Sequence, residues 1–295
     1  MFVKAYLKLL KDTSLIFAVS IILGFILPGA AKYTEPLVTP ALIVMMTFSL
    51  TEIDFRTRGD LRGALYCFAM NYVLLSGLIL LLSYALPDEK LRFGLVVMAA
   101  VPPAIAVMPL TRLLGGDLKL SLYGEVLCYI ASIILIPGLI FVFASKSGVD
   151  LRYVFEITLL TILLPIFISR LRHIKQLKLD PVLPINAGFF LINYTVIGLN
   201  MADIFEYMQP MAVIAFARTF LIGTIIYLLA RFKGVDYSKG ISYTLFSSYK
   251  NLGLAAAISI TLFGHEASIP IAVCILGETM FYIFLSLARN RAILI

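Results

Sequence analysis

Val101-Pro102-Pro103-Ala104-Ile105-Ala106-Val107-Met108-Pro109 places three prolines within eight residues of an otherwise apolar run. Each proline removes a backbone donor and crowds the preceding turn, so a regular helix cannot continue through this stretch. A second stretch, Ser247-Ser248-Tyr249-Lys250-Asn251-Leu252-Gly253, sets polar residues and a charge in the middle of another apolar run. At membrane depth, freed backbone groups must face protein or a water-filled cavity. Interrupted helices in corresponding places of two halves are a sequence pointer to a transporter's binding site.

The surrounding chain fixes the environment. Of 295 residues, 61% are hydrophobic and 14% charged, against roughly 45–50% and about 25% in a soluble domain. The mean hydropathy is +1.00. These values exclude an ordinary soluble enzyme, a disordered chain and a disulfide-rich module, and they make the lipid bilayer the solvent. Cys67, Cys128 and Cys274 lie singly in apolar runs, which argues against a disulfide framework and against a metal site. No cofactor is called for. The net charge of +7 is read as cytoplasmic Lys and Arg rather than as a nucleic-acid surface.

Apolar runs fall at roughly 14–31, 36–51, 63–86, 93–111, 120–144, 153–169, 183–201, 209–230, 240–263 and 268–288. With a cytoplasmic N-terminus, 17 of the 24 Lys and Arg fall in inside segments, five fall outside and two lie within spans. This positive-inside bias predicts ten spans with both termini cytoplasmic, in a plasma (inner) membrane. Met1 to Asp12, with Lys4, Lys8 and Lys11 at helical spacing, reads as an amphipathic surface helix. Gly124-Glu125-Val126-Leu127-Cys128-Tyr129-Ile130 and Gly277-Glu278-Thr279-Met280-Phe281-Tyr282-Ile283 share four of seven residues at an offset of 153. Five spans is an odd number, so a second copy enters the membrane inverted. The expected fold is therefore an all-α membrane protein of two inverted five-helix repeats, residues 1–150 and 151–295.

Four ionisable side chains are placed deep in spans: Glu125, Arg218, Lys250 and Glu278. Each costs about 2.5–3.5 kcal/mol at the bilayer centre, and two acids with two bases suggest pairing. One reading gives Lys250 and a glutamate a coupling role at the broken helices; the other makes the pairs permanent structural ties. Asn186, Asn193 and Asn200 recur every seven residues, drifting only about 20° per step around a helix. They are read either as a cavity lining or as interhelical packing. No His-Glu-x-x-His and no intramembrane Asp pair occurs, so the chain is not read as an enzyme.

Several motifs together resemble the bile acid:sodium symporter superfamily. Met46-Thr47-Phe48-Ser49-Leu50-Thr51-Glu52-Ile53-Asp54-Phe55 is similar to its Gly-Leu-Thr-Leu…Asp-Phe signature. Val101-Pro102-Pro103…Thr111…Gly116-Asp117…Leu120-Ser121 resembles its Pro-Gly-Gly-Thr-Ala-Ser-Asn…Gly-Asn/Asp…Leu-Ser segment, and Asn251-Leu252-Gly253-Leu254-Ala255 its Asn-Ser-Gly-Leu-Ala segment. The auxin-efflux-carrier family is the nearest alternative. The resemblance implies a panel of spans 1, 2, 6 and 7, and a core of spans 3–5 and 8–10. It also implies crossed broken helices 4 and 9 and an organic anion bound between panel and core.

The family's sodium ligands are largely replaced. A Ser-Asn pair falls on Val107 and Met108, a Thr on Glu125, a Glu on Phe246 and a Gln on Lys250, while Ser121 is kept. Sodium requires oxygen ligands, as other hard cations do. The expectation is alternating-access transport of a small carboxylate or sulfonate, without sodium at these two sites. Coupling is then to protons through Glu125 and Lys250, or absent. The alternatives are a sodium symporter with a relocated cation site and an auxin-efflux-carrier-like uniporter. The residues expected to serve coupling are Ser121, Glu125, Arg218, Lys250, Asn251 and Glu278. Those expected to line the cavity are Thr111, Asn186, Asn193, Asn200, Ser247 and Ser248.

Overall fold

The computed structural model describes residues 9–51, 60–144, 148–171, 174 and 179–293. Every regular element among them is helical. The helices are α1 (Thr13–Ile26), α2 (Pro28–Thr51), α3 (Leu61–Ser83), α4 (Glu89–Ala100), α5 (Val107–Leu114), α6 (Leu118–Ala144) and α7 (Leu151–Arg170). They continue as α8 (Val182–Leu199), α9 (Met201–Glu206), α10 (Met208–Phe232), α11 (Tyr237–Phe246), α12 (Leu252–Phe263) and α13 (Ile269–Ile293). The expected amphipathic N-terminal helix lies, as far as residue 8, outside the described residues.

Seven helices among the described residues are long and apolar enough to cross a membrane: α2, α3, α6, α7, α8, α10 and the segment His265–Leu285. The other three expected spans are shorter or divided. α1 has 14 residues, about 21 Å at 1.5 Å per residue. The fourth expected span is α4 plus α5, and the ninth is α11 plus α12.

The exterior is apolar and the interior carries the charge. Ile134 and Phe167 expose 74% and 70% of their surface, while Arg218 and Lys250 expose none. Water as the surrounding solvent would invert that arrangement. The chain is a multi-pass helical membrane protein.

α4 ends because Val101 precedes Pro102 and takes an extended conformation (φ −71°, ψ 155°), the one a following proline favours. Pro109 lies in the first turn of α5, where a missing N–H costs nothing. α5 closes on Gly115 at φ 75°, a left-handed cap open to glycine. No proline ends α11. There Ser247 and Ser248 turn their hydroxyls back onto the Thr244 carbonyl, competing with the helix ladder. Asn251 then caps α12, its Oδ1 accepting from Leu254 N at 3.0 Å.

α8 packs against α1 and α2, and α2 against α7. In a second group, α3 and α4 pack on α6, α4 on α12, and α10 on α11 and α13. Small residues set these approaches. A Cβ on Gly124 would meet Cys67 Cβ at 2.6 Å, and one on Gly277 would meet Ala215 Cβ at 3.3 Å. At the helix ends, Lys11 Nζ lies 2.6 Å from Asp180 Oδ2. The ammonium holds that carboxyl below its usual range, so this tie is present at neutral pH and is lost as the pH falls.

Gly94 is the tightest approach, since a Cβ there would lie 1.9 Å from the Ala267 carbonyl oxygen. Gly94→Ala should cost about 1–3 kcal/mol or more, because backbone must move. Gly77 is exposed on α3 with nothing within 4 Å of a Cβ, so Gly77→Ala should be neutral or stabilise by up to about 1 kcal/mol. Thermal unfolding of the two variants in detergent checks the contrast.

Candidate functional site: the meeting of two interrupted helices

The two interruptions touch through their backbones. Asn251 N donates to Pro102 O at 2.8 Å. Four helix ends therefore gather near one point: the C-terminal ends of α4 and α11, which carry partial negative charge, and the N-terminal ends of α5 and α12, which carry partial positive charge.

Lys250 answers the C-terminal end of α4. Its ammonium donates to Ala99 O (3.1 Å), Val101 O (2.8 Å), Asn71 Oδ1 (2.8 Å) and Ser76 Oγ (2.8 Å). It also lies 4.4 Å from the centre of the Tyr72 ring. An ammonium has three N–H groups and here faces four oxygens and an aromatic face. This is how oxygens surround a bare cation. Among the described residues no carboxylate oxygen lies within ion-pair distance of Lys250 Nζ.

The expected Glu125–Lys250 pair is therefore replaced by a cage of neutral groups. Backbone carbonyl dipoles and an amide do the work assigned to the acid. Glu125 is buried elsewhere, beside Met46, Ser49, Leu50, Ile105 and Tyr129, in a cavity of about 10 Å³. It faces the Met108 amide in the first turn of α5, and its Oε1 has no hydrogen-bond partner among the described residues.

Arg218 answers the end of α11. Its Nη2 donates to Ser248 O at 2.9 Å and makes a short ion-paired hydrogen bond to Glu278 Oε1. The same Oε1 accepts from Lys250 N at 3.0 Å, and Tyr249 OH donates to Glu278 O at 3.0 Å. Arg218 and Glu278 thus form one of the pairings that the charge balance left open, and the pair also grips the interrupted backbone. Asn71 completes the arrangement: its Nδ2 donates to Phe246 O (2.9 Å) and Tyr249 O (3.1 Å).

On the other side of the interruptions is a cavity of about 150 Å³. Its walls are Thr13 and Phe17 of α1, Phe189 and Asn193 of α8, Ala104–Ala106 before α5, Asn251–Gly253 at the start of α12, and Glu278, Thr279 and Tyr282 of α13. The Lys250 backbone reaches this wall while its ammonium points into the cage. Asn251 Nδ2 donates to Tyr129 OH (3.0 Å), which in turn donates to Pro103 O (3.3 Å).

Of the expected cavity residues, only Asn193 is on the wall. Asn186 bonds Thr13 Oγ1 (2.9 Å) and Leu10 O (2.8 Å), tying α8 to the start of α1. Asn200 bonds Val196 O and Ser268 Oγ, each at 2.7 Å. Thr111 and Ser121 are 3.0 Å apart, and Ser121 reaches Ser242 at 2.9 Å. That hydroxyl cluster lies beside the Gly115–Asp117 turn and shares no bond with the Lys250 cage. Ser247 and Ser248 serve the end of α11. The physical reason is common to the five that miss the wall: a polar side chain in an apolar run satisfies the nearest free backbone or hydroxyl group first.

Sequence reading missed Asn71 and Ser76, the two side chains of the cage. Their signal was an amide and a hydroxyl five residues apart inside the third apolar run. α3 is wound as a π-helix over Ala69–Leu75, and Ser76 Oγ takes up both Asn71 O and Ala99 O. Among the described residues, no group of three His, Cys, Asp or Glu side chains is placed to hold a metal.

Interrupted helices, buried charges at their ends and a cavity beside them define a membrane transport protein rather than a channel-free scaffold. Residues 14–281 match the SBF-like CPA transporter family, a bile acid:sodium symporter-like group, and the chain belongs to that family. No curated protein matches the chain.

Asn71→Leu should be among the most damaging single changes at this site. It strips Phe246 O and Tyr249 O of their donor and the ammonium of one oxygen, a loss of about 2–5 kcal/mol. Ser247→Ala removes only a local bond to Thr244 O and should stay within about 1 kcal/mol. Denaturant unfolding in detergent distinguishes the two.

Proposed function

We propose that the protein is a secondary transporter of small organic anions working by alternating access. Residues 1–150 and 151–295 form two inverted repeats, giving ten crossings with both termini cytoplasmic in a plasma (inner) membrane. Matched features at nearly constant offset support the repeat. α3 and α10 are both wound as π-helices midway, over 69–75 and 216–221. Asn71 and Arg218 sit in those turns 147 residues apart. Gly124 faces Cys67, and Gly277 faces Ala215. The panel is α1, α2, α7 and α8; the core is the other packed group.

The observation that carries the reading is the cavity between panel helices and the two interruptions. Ala104–Ala106 before α5 and Asn251–Gly253 at the start of α12 line it, so it lies at the N-terminal ends of two helices, whose dipoles favour an anion. Apart from Thr13, Asn193, Asn251, Glu278 and Thr279 its wall is apolar and aromatic, which suits a carboxylate or sulfonate on a small apolar body. Sodium coupling at the family positions is disfavoured because most of their oxygen ligands are replaced, and Lys250, which stands at one of them, carries its own positive charge into a neighbouring oxygen cage. A neutral uniporter is the second reading.

Liposomes containing the protein should take up benzenesulfonate saturably, at equal rates in sodium and choline media. Gly253→Leu, which fills the cavity, should cut uptake at least tenfold with little change in melting temperature. Uptake no faster than in protein-free liposomes, or uptake of tetraethylammonium instead, would contradict the anion reading.

A further inference from the structure

Glu278 is the one acid that both lines the cavity and holds an interruption. It is 9% exposed and stands on the cavity wall. Its two bonds, from Arg218 Nη2 and Lys250 N, both land on Oε1. Oε2 has no hydrogen-bond partner among the described residues. The carboxylate is thus tied to the protein through one oxygen, with the other left for what enters the cavity.

The charged and titratable groups around it are few. Arg218 faces it from α10, Tyr249 and Lys250 from the interruption, and Cys274 and Tyr282 from one turn either side on α13. The Lys250 ammonium is committed to its own cage. Arg218 is fully buried, and its other partners, Ser248 O, Met98 Sδ at 3.5 Å and the Cys274 thiol, are neutral. Its Nε has no hydrogen-bond partner among the described residues. Glu278 is therefore the only counter-charge Arg218 has among the described residues.

We propose that Glu278 is the proton-coupling residue, and that a proton on Glu278 and an organic anion in the cavity bind together. The inference rests on the anion-transport reading and names its coupling ion. A proton from cavity water adds to Oε2 and neutralises the carboxylate. Arg218 is then a buried charge without compensation, a costly state. An anion entering the cavity a short distance away supplies the missing negative charge. Without the proton, the same anion meets a carboxylate at the wall and a site that is already neutral. Each ligand therefore strengthens the other by the same factor. One proton travels with each monovalent anion and is released to water on the far side. Neutralisation also weakens the grip of Oε1 on the Lys250 amide, loosening the interrupted segment when both ligands are present.

This assignment moves coupling from Glu125 to Glu278. Glu125 lines a separate small cavity, and Ile105 stands between the two spaces, on the wall of each.

The test uses benzenesulfonate, which stays ionised at every working pH and carries no proton itself. Liposomes holding the full chain and a lumenal pH dye are given an inward benzenesulfonate gradient. The wild type should acidify the lumen as it takes up the anion, with apparent affinity falling by up to about tenfold per pH unit above the Glu278 midpoint. Glu278→Gln, a permanently neutral mimic, should take up the anion without acidification and without pH dependence. Glu278→Asp should restore acidification. Uptake by the wild type without acidification, or acidification by Glu278→Gln, would overturn the proposal. If no liposome takes up the sulfonate, the anion reading itself fails, and infrared difference spectra between pH 8 and pH 5 still decide this one. A carboxylic acid band lost in Glu278→Gln supports it. A band that is absent, or that is lost in Glu125→Gln and kept in Glu278→Gln, contradicts it.

Discussion

A helix broken inside a membrane leaves backbone carbonyls and amides that lipid cannot satisfy, and the rest of this structure is arranged around that constraint. The cations sit at the C-terminal ends: Lys250 at α4 and Arg218 at α11. Asn71 takes the α11 carbonyls that Arg218 does not reach. At the start of α5 the Met108 amide meets Glu125, and the start of α12 lies on the cavity wall. One rule, cation to carbonyl end and anion to amide end, accounts for three of the four buried charges. The fourth, Glu278, is placed by its bond to Arg218.

Lys250 and Arg218 meet the same problem by different means. Arg218 is neutralised by a carboxylate, so its environment changes when that carboxylate gains a proton. Lys250 is solvated by neutral oxygens and keeps its surroundings through such a change. The first is suited to switching and the second to holding. That division follows from partner chemistry, since both side chains are fully buried, Lys250 within the Ser247–Gly253 stretch and Arg218 against it.

Much of the fold was legible in the sequence because it is written in breakers and periodicity. The Pro102–Pro109 run ends α4 where expected, and the Ser247–Gly253 stretch divides α11 from α12. Pairing among the buried charges was legible as charge balance, but not that Glu278 would be the partner of Arg218. The Glu125–Lys250 pair was not there to find, because charge counting sees only charged partners. Backbone carbonyls carry no sequence signal, and Asn71 looks like any amide in an apolar run until α3 is wound as a π-helix. The asparagine stripe fails for a related reason. Asn186, Asn193 and Asn200 share a face of α8, but that face runs past the start of α1, the cavity and the Ser268 turn in succession. One side chain of three therefore reaches the cavity.

The central claim is that the Lys250 ammonium occupies a cation cage of Ala99, Val101, Asn71 and Ser76 oxygens. Thermal unfolding of the purified protein in sodium, potassium and choline chlorides tests it most directly, since a ligand bound only by the folded state raises its stability. The wild type should melt within about 1 °C in all three salts, and Lys250→Ala, which empties the cage, should melt higher in sodium than in choline. A sodium-specific rise in the wild type would contradict the account.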